Sequence, residues 1–154
     1  MLNDMKMKSH VSLSYNEPQA QSVVKEAMIK KLKSHNITPT QQRVEIATIL
    51  FEKPQHLSAE QVLSKVNGNA AVSKATVYNT LGLFARKGLV HEVVVDPSKV
   101  FYDSNVTKHH HFYNLDTGVL TDIELDAINL TAMPDLPMGT KSVGVDVIIR
   151  VRNA

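Results

Sequence analysis

The chain has 154 residues, of which 43% are hydrophobic and 21% charged, as expected for a globular protein of one or two small domains. It contains no cysteine, which excludes disulfides, thiolate zinc sites and a cysteine nucleophile and fits a reducing compartment. Because no segment has the pattern of a signal peptide or the length of a membrane span, we expect a cytoplasmic protein without a membrane partner.

Charge is distributed unevenly along the chain. Residues 1–91 hold 12 Lys or Arg and 6 Asp or Glu, a net +6, whereas residues 92–154 hold 5 and 9, a net −4. A basic half is typical of a protein that binds a polyanion such as nucleic acid. Chance clustering of solvated charges gives the same counts, so charge alone leaves both interpretations open.

The first elements in chain order are an arm and two helices. Residues 1–18 are polar and aperiodic and are predicted to form a flexible arm. A first helix is predicted over residues 19–35 from apolar residues at helical spacing: Val23, Val24, Ala27, Met28 and Leu32. A second helix is predicted to start with Thr38 as N-cap and Pro39 in its first turn.

The next elements predict a DNA-binding fold. Ser58 and Gln61 form a capping-box pattern, and Ser73 and Gly88 bracket a further helix, "KATVYNTLGLFARK". The pattern then changes to period two, with "LVHEVVV" and "VFYD" forming a hairpin around "DPSK". Helices followed by a hairpin predict a winged helix-turn-helix over residues 19–103, whose last helix enters the major groove. The alternative is a small helical bundle with an incidental hairpin, but the basic charge favours DNA.

The acidic half predicts a second domain over residues 104–154. "HHHFYN" and "VLTDIEL" form a hairpin around "LDTG", and "VGVDVIIRVR" is a strand. The overall class is therefore α+β, with a winged helix followed by a small α/β domain. A sheet of about three strands is too small to be stable alone. We therefore expect a homodimer, which would present two DNA-binding domains to an A/T-rich pseudo-palindromic operator in double-stranded DNA.

The helix before the hairpin carries side chains suited to base and phosphate contacts. Its N-terminal turn attracts phosphate, and the ring of Tyr78 can contact a thymine methyl group. The alternative is that Tyr78 packs in the core, but Val77 and Leu81 already fill the inward stripe, so we expect Tyr78 to be exposed. The candidate DNA-binding residues are Arg43, Lys74, Thr76, Tyr78 and Asn79.

Three consecutive histidines suggest a metal site. In a strand, alternate side chains share a face, so His109 and His111 point together and His110 points away. Carboxylates lie nearby in sequence or on the partner strand, and another histidine lies between two predicted helices. The candidate ligands are His56, Asp103, His109, His111 and Asp122. Three nitrogens and two carboxylates suit Fe²⁺, Mn²⁺ or Zn²⁺.

Several motifs together resemble the ferric uptake regulator (Fur) family of metal-responsive repressors. They are "ITPTQQR", "HLSAEQVL", "VSKATVYNTLGLFARKGLV", "FYD" and "HHHFYNLDTGVLTDIE", and the resemblance runs from about Val23 to Arg152. "HHHF" and "VDVIIRVR" are most similar to the iron response regulator (Irr) branch. The resemblance implies a dimeric transcription regulator of iron or haem homeostasis, not an enzyme, and places the regulatory metal on the same five candidate ligands.

The sequence also departs from the family pattern. Asn114 and Thr117 stand where many relatives carry cysteines for a structural zinc, so no such zinc is expected. A second histidine site of some members is also missing, with Asn129 and Val145 near its expected positions.

The resemblance leaves the signal open. The Irr branch implies haem as an alternative ligand, held by His109, His110 and His111, although the cysteine-proline haem motif is absent. Asp122 in place of glutamate resembles the peroxide sensors of the family, and manganese response is a further possibility. A non-haem metal enzyme is disfavoured because five protein ligands leave little open coordination. A haem-carrying module without an operator is the remaining alternative.

Overall fold

The computed structural model describes residues 17–67 and 71–154. Its elements, in chain order, are α1 (Glu17–Ser34), α2 (Gln41–Leu50), β1 (His56–Ser58), α3 (Ala59–Val66), α4 (Lys74–Arg86), β2 (His91–Asp96), β3 (Lys99–Asp103), β4 (His110–Asn114), β5 (Leu120–Ile123), a 3-10 turn (Leu125–Ala127) and β6 (Ile148–Val151). The predicted α+β class is confirmed. Within these residues, no helix combines the length and the hydropathy that a membrane crossing requires.

The first helix begins earlier than predicted. Residues 1–16 of the predicted arm lie outside the described residues, but Glu17 and Pro18 already belong to α1. An acidic residue and a proline are both favourable in a first helical turn, because the first N–H groups have no partner within the helix. The N-terminal part of the predicted apolar stripe is not buried, since Val23 is 66% and Val24 45% exposed. Within α1 only Leu32 is fully buried.

The N-terminal caps of α2 and α3 can be compared directly with those predicted from the sequence. The prediction of Thr38 as N-cap is wrong: Thr40 is the cap, and its hydroxyl accepts the N–H of Arg43 at 3.2 Å. Thr40 has the extended backbone of an N-cap and the helix begins at Gln41, so Pro39 precedes the cap and the prediction that it lies in the first turn is also wrong. The capping box of Ser58 and Gln61 is confirmed, with reciprocal hydrogen bonds of 3.2 and 2.8 Å at the start of α3.

The boundaries of α4 follow the predicted signals. The Ser73 hydroxyl accepts the N–H of Thr76 at 3.1 Å, as expected of an N-cap. Gly88 lies just beyond the C-terminal end with φ +72°, a left-handed conformation that glycine adopts without steric cost. The following N–H, from Leu89, returns to the carbonyl of Phe84 at 2.9 Å and closes the helix.

The helices and part of the first sheet enclose the main hydrophobic core. Its members come from α1 to α4, from the segments that connect and follow them, and from strands β1 and β3. The side chains with no exposed surface are Leu32, Ile46, Leu50, Val62, Val77, Leu81 and Phe84. Burial of Val77 and Leu81 fixes which face of α4 points inward and which points to solvent.

The first sheet, here called the wing sheet, has the strand order β1-β3-β2 and is antiparallel. The hairpin of β2 and β3 is confirmed. Strand β1 was not predicted, because three residues are too few to show a period-two pattern. It pairs with β3 in a register that places His56 opposite Asp103.

The second sheet, here called the C-terminal sheet, has the order β5-β4-β6. The predicted hairpin of β4 and β5 is confirmed, with His111 opposite Asp122 and Gly118 at φ +71° in the turn. Strand β6 runs parallel to β4 and is limited to Ile148–Val151, shorter than the predicted "VGVDVIIRVR".

The two sheets pack against one another through a second apolar cluster. Its residues are Val93, Val95 and Phe101 of the wing sheet and Tyr113, Leu120 and Ile148 of the C-terminal sheet. The guanidinium of Arg150 also donates to the carbonyl of Val95 at 2.6 Å. These contacts join the wing sheet to the C-terminal sheet. The division into domains 19–103 and 104–154 stays a prediction.

Candidate metal centre

Five predicted metal ligands converge in the structure. His56 lies on β1, Asp103 ends β3, His109 precedes β4, His111 lies on β4 and Asp122 lies on β5. Each offers one ligand atom, and all of these atoms lie within 4.8 Å of one another. Within residues 17–67 and 71–154 this is the one cluster of its kind. Binding of an ion by these residues is a proposal that this geometry supports.

Strand register explains the convergence. In each sheet an imidazole and a carboxylate lie opposite one another on adjacent antiparallel strands: His56 opposite Asp103, and His111 opposite Asp122. Side chains directly opposite in a ladder are about 5 Å apart at Cβ, within reach of a shared ion. Packing of the two sheets then brings the two pairs together, and His109 joins from the segment between them.

The distances match the spacing of ligands around a small divalent ion. From Asp103 Oδ2, the Nε2 atoms of His56, His109 and His111 lie at 3.1, 2.8 and 3.3 Å. From Asp122 Oδ1 they lie at 2.7, 3.4 and 3.5 Å. Metal–ligand bonds of roughly 2.1 Å at right angles separate neighbouring ligand atoms by about 3.0 Å. The residues present therefore fit a five-ligand site.

Hydrogen bonds from residues outside the cluster orient two of its side chains. Nδ1 of His109 lies 2.6 Å from the Thr107 carbonyl, which can only accept, so Nδ1 carries the proton and Nε2 faces the cluster. Oδ1 of Asp103 accepts the N–H of Asn105 at 2.8 Å, which leaves Oδ2 for the cluster. The Asn105 side chain in turn accepts the N–H of Thr107 at 3.1 Å. Sequence reasoning missed both residues, although an asparagine two positions before a threonine is a turn signal.

The charges of the cluster favour a cation at its centre. Burial lowers the pKa of His56 and of His109, but hydrogen bonds and the Asp103 and Asp122 charges outweigh burial, so both pKa values are raised. Burial likewise raises the pKa of Asp103, but hydrogen bonds from His111 and His56 outweigh it and hold that pKa well below its usual value. Without a metal, protons occupy the space between nitrogen and oxygen; a divalent ion would replace them.

The cluster is buried on one side and open on the other. Asp103 is 1% and His111 3% exposed, whereas the side chain of Asp122 is 41% exposed. The open side at Asp122 provides a route by which an ion can enter.

His110 has a different role from its neighbours. It points away from the cluster, as predicted, and its Nδ1 accepts the N–H of Val147 at 3.1 Å. His110 does not face solvent, because it is only 2% exposed beneath the segment leading into β6. Haem binding by His109, His110 and His111 stays a prediction; all three rings are buried, so haem would require this region to open.

The candidate DNA-binding residues of α4 lie at its N-terminal end. Lys74, Tyr78 and Asn79 are exposed, and the 39% exposure of Tyr78 confirms its placement off the buried stripe. Thr76 is half-buried, with its hydroxyl 2.8 Å from that of Ser73. DNA binding by these residues stays a prediction.

Arg43 and one residue that the sequence reasoning missed lie on other helices. Arg43 is half-buried in the first turn of α2 and donates to the Thr38 carbonyl at 2.8 Å. Glu60, in the first turn of α3, accepts a hydrogen bond from the Tyr78 hydroxyl. No local sequence signal predicts this contact, because it depends on how α3 packs against α4.

Asn114 and Thr117, the two positions at which the resemblance would place zinc ligands, take part in hydrogen bonds. The Asn114 side chain accepts the N–H groups of Asp116 and Thr117 at 2.9 and 3.1 Å and donates to Asn153 at 2.9 Å. Asp116 also pairs with Arg152 at 2.7 Å. These contacts tie the β4–β5 turn to the residues that follow β6. Asn129 and Val145, near the missing second histidine site, are both exposed.

Comparison with known proteins identifies relatives of this chain. The model of the ferric uptake regulator family matches residues 34–138. The peroxide-responsive repressor PerR of Staphylococcus aureus (strain Mu50) is 28% identical over 105 residues, 68% of this chain and 71% of that protein. The ferric uptake regulation protein of Synechococcus elongatus is 38% identical over 76 residues, 47% of this chain and 52% of that protein.

A solved structure supports the fold. The ferric uptake regulator of Pseudomonas aeruginosa, determined with manganese, superposes with a TM-score of 0.60 at 24% identity, over 80% of this chain and 96% of that one. The family match, which spans most of the chain, is independent of that superposition. The chain therefore belongs to the ferric uptake regulator family.

Proposed function

We propose that the protein is a metal-dependent transcription regulator that binds an A/T-rich pseudo-palindromic operator as a homodimer. The observation that carries the proposal is the convergence of three histidines and two aspartates from both sheets on one point. Family membership and relatives described as a peroxide-responsive repressor and a ferric uptake regulation protein support it. Such relatives also argue for a binding protein and not an enzyme.

The donor set selects the class of ion. Imidazole nitrogens and carboxylate oxygens suit Fe²⁺, Mn²⁺ or Zn²⁺, and the related Pseudomonas aeruginosa structure contains manganese. The chain has no cysteine that could favour a thiophilic metal.

The position of the cluster suggests how metal would control DNA binding. His56 and Asp103 belong to the wing sheet, and His111 and Asp122 to the C-terminal sheet. A shared ion would fix the two sheets relative to one another. Since α3 begins at Ala59, directly after β1, the ion would also fix the helices that carry the proposed DNA contacts. Coupling between a metal site and a DNA site through such a conformation is allostery.

The outer face of the C-terminal sheet supports the dimer. Phe112 on β4 and Ile149 on β6 are register partners, and they are 39% and 38% exposed. The segment between β5 and β6 adds further exposed apolar side chains, among them Leu130, Met133 and Leu136. A second copy of the chain would cover this surface and extend the small sheet domain.

Two finer functions compete for the same site. Peroxide response is favoured by the Staphylococcus aureus relative and by Asp122, and would require Fe²⁺ in the cluster. An Irr-like response to haem is favoured by the triple histidine. Two measurements separate them. In a haem titration followed by absorption spectra, an Irr-like protein gives a Soret shift that His109→Ala and His111→Ala remove. In a DNA-binding assay, a peroxide sensor loses DNA binding when its Fe²⁺ form is treated with peroxide.

Selection from a library of randomised DNA duplexes tests the main proposal. With Mn²⁺ the protein should enrich A/T-rich pseudo-palindromes, and with a chelator or the His111→Ala variant it should not. The control is His35→Ala, because His35 lies at the end of α1 and bonds the Lys31 carbonyl, outside the cluster. Equal enrichment with and without metal would contradict metal dependence, and no enrichment would contradict DNA binding.

A further inference from the structure

The proposed DNA-binding surface contains a carboxylate that contacts its tyrosine. The Tyr78 hydroxyl on α4 donates a hydrogen bond to Oε1 of Glu60 on α3. The ammonium of Lys74 lies 5.7 Å from the centroid of the same Tyr78 ring. Both Glu60 and Tyr78 are exposed, so the contact lies on the surface and not in the core.

A carboxylate at this place needs an explanation. A surface that binds DNA is expected to favour positive charge, because the phosphates repel a carboxylate. A glutamate in the first turn of a helix interacts favourably with the helix dipole, which is the simplest reason for Glu60. The dipole, however, does not require a contact with α4, and the capping box of α3 uses Gln61 and not Glu60.

The ionisation of the pair fixes the direction of its hydrogen bond. The Tyr78 hydrogen bond lowers the pKa of Glu60, and the bond to Glu60 raises the pKa of Tyr78. At neutral pH the carboxylate is therefore charged and the phenol keeps its proton. The phenol has one O–H, which it gives to Glu60, so that its oxygen is left with lone pairs that only accept.

This arrangement limits which bases Tyr78 can read. In the major groove adenine and cytosine present amino donors, whereas guanine presents acceptors and thymine presents an acceptor and a methyl group. We propose that Glu60 is a positioning residue that makes Tyr78 an acceptor-only reader of an amino group, on adenine or cytosine, within the operator. This inference rests on the proposed function, because it names the specificity of the same DNA-binding surface.

Lys74 completes the arrangement. Its position beside the ring balances part of the Glu60 charge, and it lies in the first turn of α4, where free N–H groups also attract phosphate. A phosphate held there and a carboxylate beside the hydroxyl would together direct Tyr78 toward base edges and away from the backbone.

The experiment selects DNA sites from a randomised duplex library in the presence of Mn²⁺, with the wild type and four variants. These are Glu60→Gln, Glu60→Ala, Tyr78→Phe and the double variant Glu60→Ala/Tyr78→Phe. The wild type should prefer adenine or cytosine at one position of each half-site. Glu60→Gln keeps an acceptor for the hydroxyl and should keep that preference. Glu60→Ala frees the hydroxyl to donate, and Tyr78→Phe removes it, so both should weaken the preference about tenfold, an amount equivalent to roughly 1.4 kcal/mol.

The double variant separates positioning from general charge. If Glu60 acts through Tyr78, the double variant should match Tyr78→Phe. Glu52→Ala, which removes an exposed glutamate in the turn after α2, should leave the preference unchanged. Circular dichroism and Mn²⁺ affinity should be the same for all proteins, since the exchanged side chains are exposed and outside the metal cluster.

The outcomes are distinguishable. Enriched sites with the same base preference in wild type and Glu60→Ala would overturn this inference and leave the proposed function intact. A weaker base preference in Glu60→Gln than in the wild type would also overturn it. So would a double variant whose base preference differs from that of Tyr78→Phe alone. Failure of the wild type to enrich any site would overturn the proposed function and this inference with it.

Discussion

His56 and Asp103 face one another across strands β1 and β3, with Nε2 of the histidine 3.1 Å from Oδ2 of the aspartate. The pairing joins positions 47 residues apart in the chain. It also joins the candidate metal cluster to α3, which begins three residues after His56. An ion bound at this pair would therefore act on the helices directly, through a strand of only three residues.

Asp103→Asn should abolish high-affinity metal binding. The change removes the more buried of the two carboxylate charges that face all three imidazoles, so the Mn²⁺ affinity should fall by more than the roughly 10–100-fold that loss of an outer partner costs. Isothermal titration with Mn²⁺ measures the effect. Asp135→Asn, an exposed carboxylate outside the cluster, is the control and should bind normally. Normal affinity in Asp103→Asn would show that the ion lies elsewhere.

Asn105→Ala should weaken metal binding without removing a ligand. The Asn105 side chain holds the N–H and the hydroxyl of Thr107, whose carbonyl orients His109, and loss of such support costs about tenfold in affinity. Asn105→Asp keeps the acceptor oxygen and should bind Mn²⁺ more tightly than Asn105→Ala. Equal affinities in wild type and Asn105→Ala would mean that the turn does not orient the ligand.

His110→Leu should destabilise the fold and leave metal affinity unchanged. It removes the acceptor of the partly buried Val147 N–H; a fully buried unpaired donor costs about 1–3 kcal/mol in the free energy of unfolding, so the loss here should be about 1 kcal/mol. Urea unfolding measures the loss, and Mn²⁺ titration of the folded variant checks the site. His110→Asn, which can still accept, should lose less stability. A loss of Mn²⁺ affinity as large as that of a ligand variant would assign His110 to the site.

Phe112→Glu should convert the dimer to a monomer. The change places a charge on the apolar outer face of the C-terminal sheet, where we propose that a second copy packs. Light scattering after size-exclusion chromatography gives the mass directly. Val94→Glu is the control, because Val94 is also apolar and lies exposed on the wing strand β2, at 54% against 39% for Phe112. A dimer that survives Phe112→Glu would place the interface on another surface.

Much of the architecture follows from local signals in the sequence. Ser58, Gln61 and Ser73 cap helices because their side chains bond N–H groups a few residues away, and such contacts are visible as spacing. The period-two pattern around the histidines also predicts which rings share a face. The convergence of the cluster follows from those faces together with the resemblance.

The sequence was less informative about features that depend on how one element of the fold packs against another. Helical spacing marks Val23 and Val24 as apolar, but only packing shows that no helix covers them in the described part of the chain. Two threonines flank Pro39, and the extended backbone of Thr40 decides which one is the cap. The contact between Glu60 and Tyr78 depends on the packing of two helices, which no spacing rule encodes.

Anomalous diffraction from crystals grown with Mn²⁺ tests the central claim most directly. The predicted result is one strong peak within roughly 2.0–2.3 Å of Nε2 of the three histidines and of carboxylate oxygens from Asp103 and Asp122. A peak at any other group of residues, or none between these five side chains, would contradict the account.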